Sequence, residues 1–264
     1  MTAPPDMALP LERQRAILDR LGRDGRVVAA DLARAFGTSE DTIRRDLRDL
    51  AARGLCQRVY GGALPISPSQ GTATRRRAER ISGKQALGAR LAALVRPGQT
   101  VFIDAGSTNL AAARALPELP GLTVATHDPA IAVALTGRAG IELILLGGRI
   151  DAHSGAALGM HALRGAMDMR PDLLLLGACA LDAAGGLAAF GYEDAEMKRA
   201  LVRRAGAVAA AVTNDKLGTA APHRVGPADI LSDLVAEHDA PEDRLSPLRA
   251  LGLRVHRAEP AWED

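Results

Sequence analysis

Aromatic residues are nearly missing from this chain: one Trp, two Tyr and three Phe make up 2% of its 264 residues. Recognition of nucleic acid by stacking bases on aromatic platforms is therefore not expected anywhere in it. Cysteine is equally sparse. Cys56 and Cys179 are far apart, form no CxxC pair and accompany only six scattered histidines, so neither a disulfide framework nor a metal site is expected, and no cofactor is implied. No apolar run approaches the roughly 20 residues that span a bilayer. The opening MTAPPDMALP has neither the basic nor the apolar region of a secretion signal, so the expected compartment is the cytoplasm, with no membrane partner. Lysine is scarce as well: Lys84, Lys198 and Lys216 are the three lysines among 33 basic residues. In a chain that uses Arg wherever the two serve equally, surviving lysines mark places where a compact ammonium is needed.

What is present suits a folded core: 47% hydrophobic residues with 24% charged ones. The net charge of +2 is unevenly spread, since residues 1–80 carry 15 Arg against 10 Asp and Glu, a surplus of +5, leaving residues 81–264 at −3. A basic head on a mildly acidic body points to a polyanionic partner for the head.

Four segments are expected. Residues 10–64 form a small DNA-binding domain, 65–82 a linker, 83–240 a ligand-sensing α/β domain, and 241–264 a C-terminal tail with the lone Trp262. In the head, Leu11, Ile17, Leu18 and Leu21 recur at helical spacing, and Leu32, Ala33 and Phe36 make a second stripe that stops at Gly37. Thr38 with Asp41 three residues on resembles a capping box opening a third helix, which runs to about Arg53. CQRVYGGAL then reads as a hairpin turning at Gly61-Gly62. Beyond residue 82, strand-like runs (TVFIDAG, LTVAT, IELILLGG, DLLLLGA, AVAAAVT) alternate with helical stretches, which predicts a mainly parallel sheet covered on both faces.

The third helix places Ile43, Leu47 and Leu50 on one stripe and turns Arg45 and Arg48 outward, with Thr42 and Arg44 on the flanks. A short helix, a turn and an Arg-rich second helix form a helix-turn-helix whose second helix would enter the major groove of duplex DNA. There Arg45 would reach a guanine edge while Ser39, Thr42, Arg44 and Arg48 hold phosphates, and Arg58 and Tyr60 would sit on a wing along the backbone. The plain alternative is a solvated face, with these arginines paired to Asp41, Asp46 and Asp49. TIRRDLRDL followed by VYGGAL resembles the N-terminal signature of DeoR-family repressors across residues 12–64, and the resemblance continues through 75–235.

That resemblance implies a winged helix-turn-helix followed by an effector domain like ribose-5-phosphate isomerase and CoA-transferase folds, answering to phosphorylated sugars. The residues offer their own support. Asp104-Ala-Gly106-Ser107-Thr108-Asn109 joins a strand to a helix; Gly106 admits a ligand, the hydroxyls can donate, and the helix N-terminus attracts an anion. An ordinary helix cap would look the same. The family's DxGST stretch matches here, with Asn109 where members usually carry a second Thr. Thr126 and His127 stand where the family reads Thr-Asn facing the sugar, so His127 replaces the Asn. Gly147 and Gly148 permit a turn or a close ligand approach. Glu193 and Lys198 match the family's E-x-x-[VM]-K helix, although five residues apart is not one helical face. Lys216 matches its D-x-[ST]-K-[FL]-G stretch, with Thr213 in place of the first Asp. Lys84 matches a frequent lysine opening the domain.

The sequence therefore reads as a homodimeric or homotetrameric repressor that binds an operator and is modulated by a small phosphorylated metabolite. The alternative is a sugar-phosphate isomerase-like enzyme with a DNA-binding head, using Asp104, Glu193 or Asp215 as its general base.

Overall fold

Stripes of apolar residues fold the head and alternating apolar runs fold the body, as seen in a computed structural model that describes residues 9–69 and 71–260. The head comprises α1 (Pro10–Asp24), β1 (Val27–Val28), α2 (Ala29–Phe36), α3 (Glu40–Ala52), β2 (Gln57–Val59) and β3 (Gly62–Leu64). Ile17, Leu21, Leu32, Phe36, Ile43, Leu47 and Leu50 meet in one core. Leu11, read as part of that stripe, is instead exposed, because α1 turns Arg13 and Gln14 inward to bind the buried Asp46 on α3. Ser39, not Thr38, caps α3: its hydroxyl accepts from the Thr42 amide at 3.2 Å. The strands form a small antiparallel sheet in the order β1-β3-β2, with Tyr60 at the exposed hairpin tip.

Between head and body run residues 65–80. This stretch, expected as a linker over 65–82, carries structure of its own. Ile66 pairs with Ala220 of the body, and α4 (Ala73–Ala78) is capped by Thr72. After Arg80, α5 (Ile81–Ala92) opens the body.

The body continues with β4 (Thr100–Ile103), α6 (Ser107–Ala115), β5 (Leu122–Thr126), α7 (Pro129–Leu135), β6 (Ile141–Leu145), β7 (Arg149–Ile150), β8 (Ala157–Leu158), α8 (Met160–Met167) and β9 (Leu173–Gly177). It finishes with β10 (Ala180–Asp182), β11 (Gly186–Ala189), α9 (Tyr192–Arg204), β12 (Ala207–Val212), β13 (His223–Gly226), β14 (Asp233–Ala236), α10 (Glu242–Ala250) and β15 (Arg254–Arg257). Seven parallel strands lie in the order β15-β14-β12-β9-β4-β5-β6. Helices cover both faces, with Leu87, Leu110 and Ile131 buried on one side and Ala162, Leu201 and Leu245 on the other. Burial on both faces explains why these strands read as continuous apolar runs. The smaller β10-β11-β13 sheet and the β7-β8 hairpin pack beside this layer.

Beyond residue 240 the chain stays in regular structure. The expected tail supplies α10 and the edge strand β15, where Asp233 holds Arg254 at 2.7 Å and His256 at 2.8 Å. Its polar alternation, RVHR, is that of an edge strand that buries little. Trp262 lies outside the described residues. At the other end of α10, Arg244 reaches back to the head and donates to the Asp24 carbonyl at 3.0 Å. No helix among the described residues is long and apolar enough to cross a membrane.

Candidate functional site

On the head, α3 buries Ile43, Leu47 and Leu50 and leaves Arg44, Arg45 and Arg48 exposed. The acids along this helix neutralise only part of that face. Arg44 is held by Glu40 at 2.6 Å and Asp41 at 3.3 Å, while Asp46 points into the core toward Arg13. Arg45 and Arg48 have no ion-pair partner among the described residues. Ser39 and Thr42 share a hydroxyl–hydroxyl hydrogen bond of 2.9 Å at the helix start, and Arg58 and Tyr60 stand exposed on the hairpin. The result is an open cationic face next to an anion-attracting helix N-terminus.

In the body, β4 and β9 are neighbours, yet the chain winds away from them in opposite directions, through β5 and β6 on one side and β12, β14 and β15 on the other. Loops leaving the carboxyl ends of two such strands diverge and open a crevice. A cleft of about 290 Å³ lies there, between residues 105–109 after β4 and 177–179 after β9, with Arg76, His153, Asp194 and Lys216 completing its walls.

Beneath the cleft, Asp104 is fully buried and its carboxylate is saturated. Oδ1 accepts from the Ala105 amide and His127 Nε2, both at 2.8 Å; Oδ2 accepts from the Gly177 amide at 2.7 Å and Lys198 Nζ at 2.6 Å. Burial alone would raise its pKa, but the Lys198 ammonium and the His127 hydrogen bond together hold it well below the ordinary carboxylate range. Lys198 is buried too; Asp104 and Asp194, the latter at 3.0 Å, outweigh desolvation and raise it above an ordinary lysine. Gly177 closes this knot by proximity: a Cβ there would lie 2.3 Å from the Ala105 carbonyl and 2.9 Å from Asp104 Oδ2.

Facing the cleft is a different set. Gly106, at φ +149°, leads into α6, whose first turn presents Ser107 and Thr108. Thr108 is 6% exposed and its Oγ1 is buried without a hydrogen-bond partner, which leaves a donor and acceptor awaiting a group in the cleft. Lys216 donates to the Ala178 carbonyl at 3.0 Å, and burial, aided by Arg76 and Lys198, pushes its pKa below the usual lysine value. The Cys179 thiol is pushed up by burial and by Asp194, so it lines the wall as a neutral group. Asp151 is consumed in holding Ser154 through the amide at 2.7 Å and the hydroxyl at 2.8 Å.

The profile of a DeoR-like helix-turn-helix domain matches residues 13–69, and that of the DeoR C terminal sensor domain matches residues 79–238. The chain belongs to the DeoR family. It is similar to HTH-type transcriptional regulator GlpR of Haloferax volcanii, 35% identical over 213 residues that cover 80% of this chain and 83% of that one. The glycerol-3-phosphate regulon repressor of Escherichia coli K12 is 29% identical, covering 87% and 92%. A putative aga operon transcriptional repressor of Escherichia coli O157:H7 is 27% identical, covering 92% of each. Among solved structures, the sorbitol operon regulator SorC from Klebsiella pneumoniae superposes with a TM-score of 0.41 at 14% identity over 90% of this chain and 98% of that one. Ribose 5-phosphate isomerase A from Methanocaldococcus jannaschii gives 0.37 at 16% identity over 50% and 52%.

In this DeoR-family member the expected effector residues divide into three groups. Gly106, Ser107, Thr108, Asn109, Lys198 and Lys216 border the cleft, though Lys198 is committed to Asp104 and Asp194. Asn109 is committed as well, donating to the carbonyls of Asp104 at 2.8 Å and Leu175 at 2.9 Å, and so clamping β4 to β9. Asp104, Thr126 and His127 lie below the cleft: Thr126 donates to the Ile103 carbonyl and His127 bridges Asp104 and the Ala157 carbonyl, so both side chains are taken up by the protein itself. Gly147, Gly148 and Glu193 lie away from it. The glycines turn the chain between β6 and β7, and Glu193 is exposed, paired with Arg149.

Lys84 is likewise structural, donating to the Arg76 and Glu79 carbonyls. The carboxylate that meets Lys198 on α9 is Asp194, four residues before it and therefore on the same face. Arg76, Asp151, His153 and Asp194 were not anticipated; only Asp194 carried a signal, its i,i+4 spacing to a rare lysine.

Proposed function

We propose that this protein represses transcription of a carbohydrate or polyol-phosphate operon. The exposed face of α3 reads the major groove of its operator, and a phosphorylated sugar-like metabolite in the body cleft modulates that grip. Arg45 and Arg48, the outward arginines without acidic partners among the described residues, are assigned to base edges and phosphates, with Ser39, Thr42, Arg44, Arg58 and Tyr60 flanking them. A homo-oligomer in the cytoplasm supplies paired heads, because a single small head lacks the avidity of two. The relatives named for a glycerol-3-phosphate regulon and an aga operon favour the same class of effector.

The observation that carries the sensing half is Thr108 Oγ1, a buried hydroxyl with no partner among the described residues, on a residue at the N-terminus of α6 that lines the cleft together with Lys216. Phosphoryl oxygens would satisfy both groups. A binding role suits the cleft better than catalysis. Of the three carboxylates considered as a base, Asp104 is saturated, Glu193 lies outside, and Asp215 is taken up by Thr213 and Arg80. The test is operator binding by gel shift with the protein's own upstream DNA, titrated with glycerol 3-phosphate and a series of hexose and amino-sugar phosphates. One of them is expected to change operator affinity by roughly 5–150-fold. If none does, the sensing role fails; isomerase turnover with any of them would favour the enzyme instead.

A further inference from the structure

The connector between head and body carries four arginines, and three have carboxylate partners. Arg75 pairs with Glu79 at 2.6 Å, Arg77 with Asp128 at 3.1 Å, and Arg80 with Asp215 at 3.2 Å and Glu237 at 3.4 Å. Arg76 differs. Its guanidinium donates to two backbone carbonyls, those of Gly71 and of His153 (3.2 Å), and it has no carboxylate partner among the described residues. It lines the cleft, and its nearest charged neighbours include cations, for it helps to depress both Lys84 and Lys216. Elsewhere in the cleft the charged groups are taken up, Lys198 by the carboxylates of Asp104 and Asp194 and Asp151 by Ser154. Arg76 and Lys216 are therefore left facing the same space as the unpartnered Thr108 hydroxyl.

The connector is also stitched to the rim of this cleft. The Ala220 amide donates to the Pro65 carbonyl and the Ser67 amide to the Ala220 carbonyl, each at 3.0 Å, and Ser67 Oγ donates to the carbonyl of cleft-lining Cys179 at 2.6 Å. Pro65 directly follows β3, the last strand of the DNA-binding head.

We propose that the connector is itself one wall of the ligand site, with Arg76 binding the ligand's anionic group from the head side while Thr108 and Lys216 bind it from the body. The proposal rests on the cleft being the sensor site and adds how that site is read. A charge-assisted bond to a phosphoryl oxygen is stronger than the bonds Arg76 makes to neutral carbonyls, so an arriving anion draws Arg76 off Gly71 and His153. The displaced segment is the one that leads into the hairpin of the head.

Inorganic phosphate, the group shared by every candidate effector, is the probe, titrated against chloride at matched ionic strength with the full chain. Wild type is expected to gain Tm and to be cut more slowly by trypsin within residues 75–80. Arg76→Gln should weaken the phosphate midpoint about tenfold or more, as loss of a charged hydrogen bond predicts, and should lose protection at the remaining sites Arg75, Arg77 and Arg80. Arg76→Lys should recover part of the affinity, and Arg75→Gln should behave as wild type. If phosphate stabilises wild type and Arg76→Gln with the same midpoint, the connector proposal falls and the cleft reading stands. If it stabilises neither, both fall.

Discussion

The head and the body use charge in opposite ways. On α3 the charged side chains assigned to DNA stand outside the core, and Arg45 and Arg48 have no ion-pair partner among the described residues. In the body the most motif-like charges, Asp104 and Lys198, lie buried and bound to each other. An exposed arginine costs the fold little and is free to meet a partner, whereas a buried ion pair demands a complete set of hydrogen bonds and then holds loops in place. Removing a charge should thus injure function in the head and folding in the body.

The largest effect is expected from Asp104→Asn, which leaves Lys198 with one acid instead of two. Unfolding free energy should fall by about 3–5 kcal/mol, as for a broken buried pair, measured by urea denaturation. Because Asp104 ionises below its ordinary range in the folded protein, its contribution is present above the unfolded carboxylate pKa and is lost as pH drops through the folded value. The variant should therefore lose part of the acid-side fall in stability; an unchanged pH profile would contradict the assignment.

Arg45→Ala should do the reverse. Operator affinity should drop by about 1–3 kcal/mol in a gel shift, with Tm within a degree or two of wild type. A stability loss matching that of Asp104→Asn would erase the contrast between the two regions.

Smaller effects sharpen the picture within the cleft. Thr108→Val keeps the shape and removes the unpartnered hydroxyl, so effector affinity measured by calorimetry should weaken by about 0.5–1.5 kcal/mol while stability holds or rises. Lys216, depressed by burial, should lose its proton at a lower pH than an ordinary lysine. Effector affinity should accordingly decline on the alkaline side before free lysine titrates, and Lys216→Arg should flatten that decline. The smallest effect belongs to Glu193→Gln, exposed and paired only with Arg149, which should change stability and effector binding by no more than about 0.5 kcal/mol.

Legibility in the sequence followed the same divide. Helical periodicity located the core of α1–α3 and the outward arginines because a surface helix writes its two faces into a 3.6-residue repeat. The parallel strands β4, β5, β6, β9 and β12 were legible as apolar runs. Strands β10 and β11 were not, since ALD and GLAA are short and rich in Ala and Gly, residues with weak strand preference. The place of Ser107 and Thr108 at the start of α6 was legible because strand-to-helix turns have a local signature. The bond of His127 to Asp104 was not legible, being a contact 23 residues distant that no local pattern encodes. The place of Arg76 was not legible for the same reason: it depends on a connector folded back over a cleft built from residues up to 140 positions later.

Arg244 touches the Asp24 carbonyl, linking the tenth helix of the chain to the first. On the ribosome the head, whose core needs nothing beyond Ala63, can complete itself while some 200 residues remain untranslated. The bond from α10 to the head can therefore form only after the whole sensor sheet except its edge strand β15 has been made, as the last of the contacts that join the two regions.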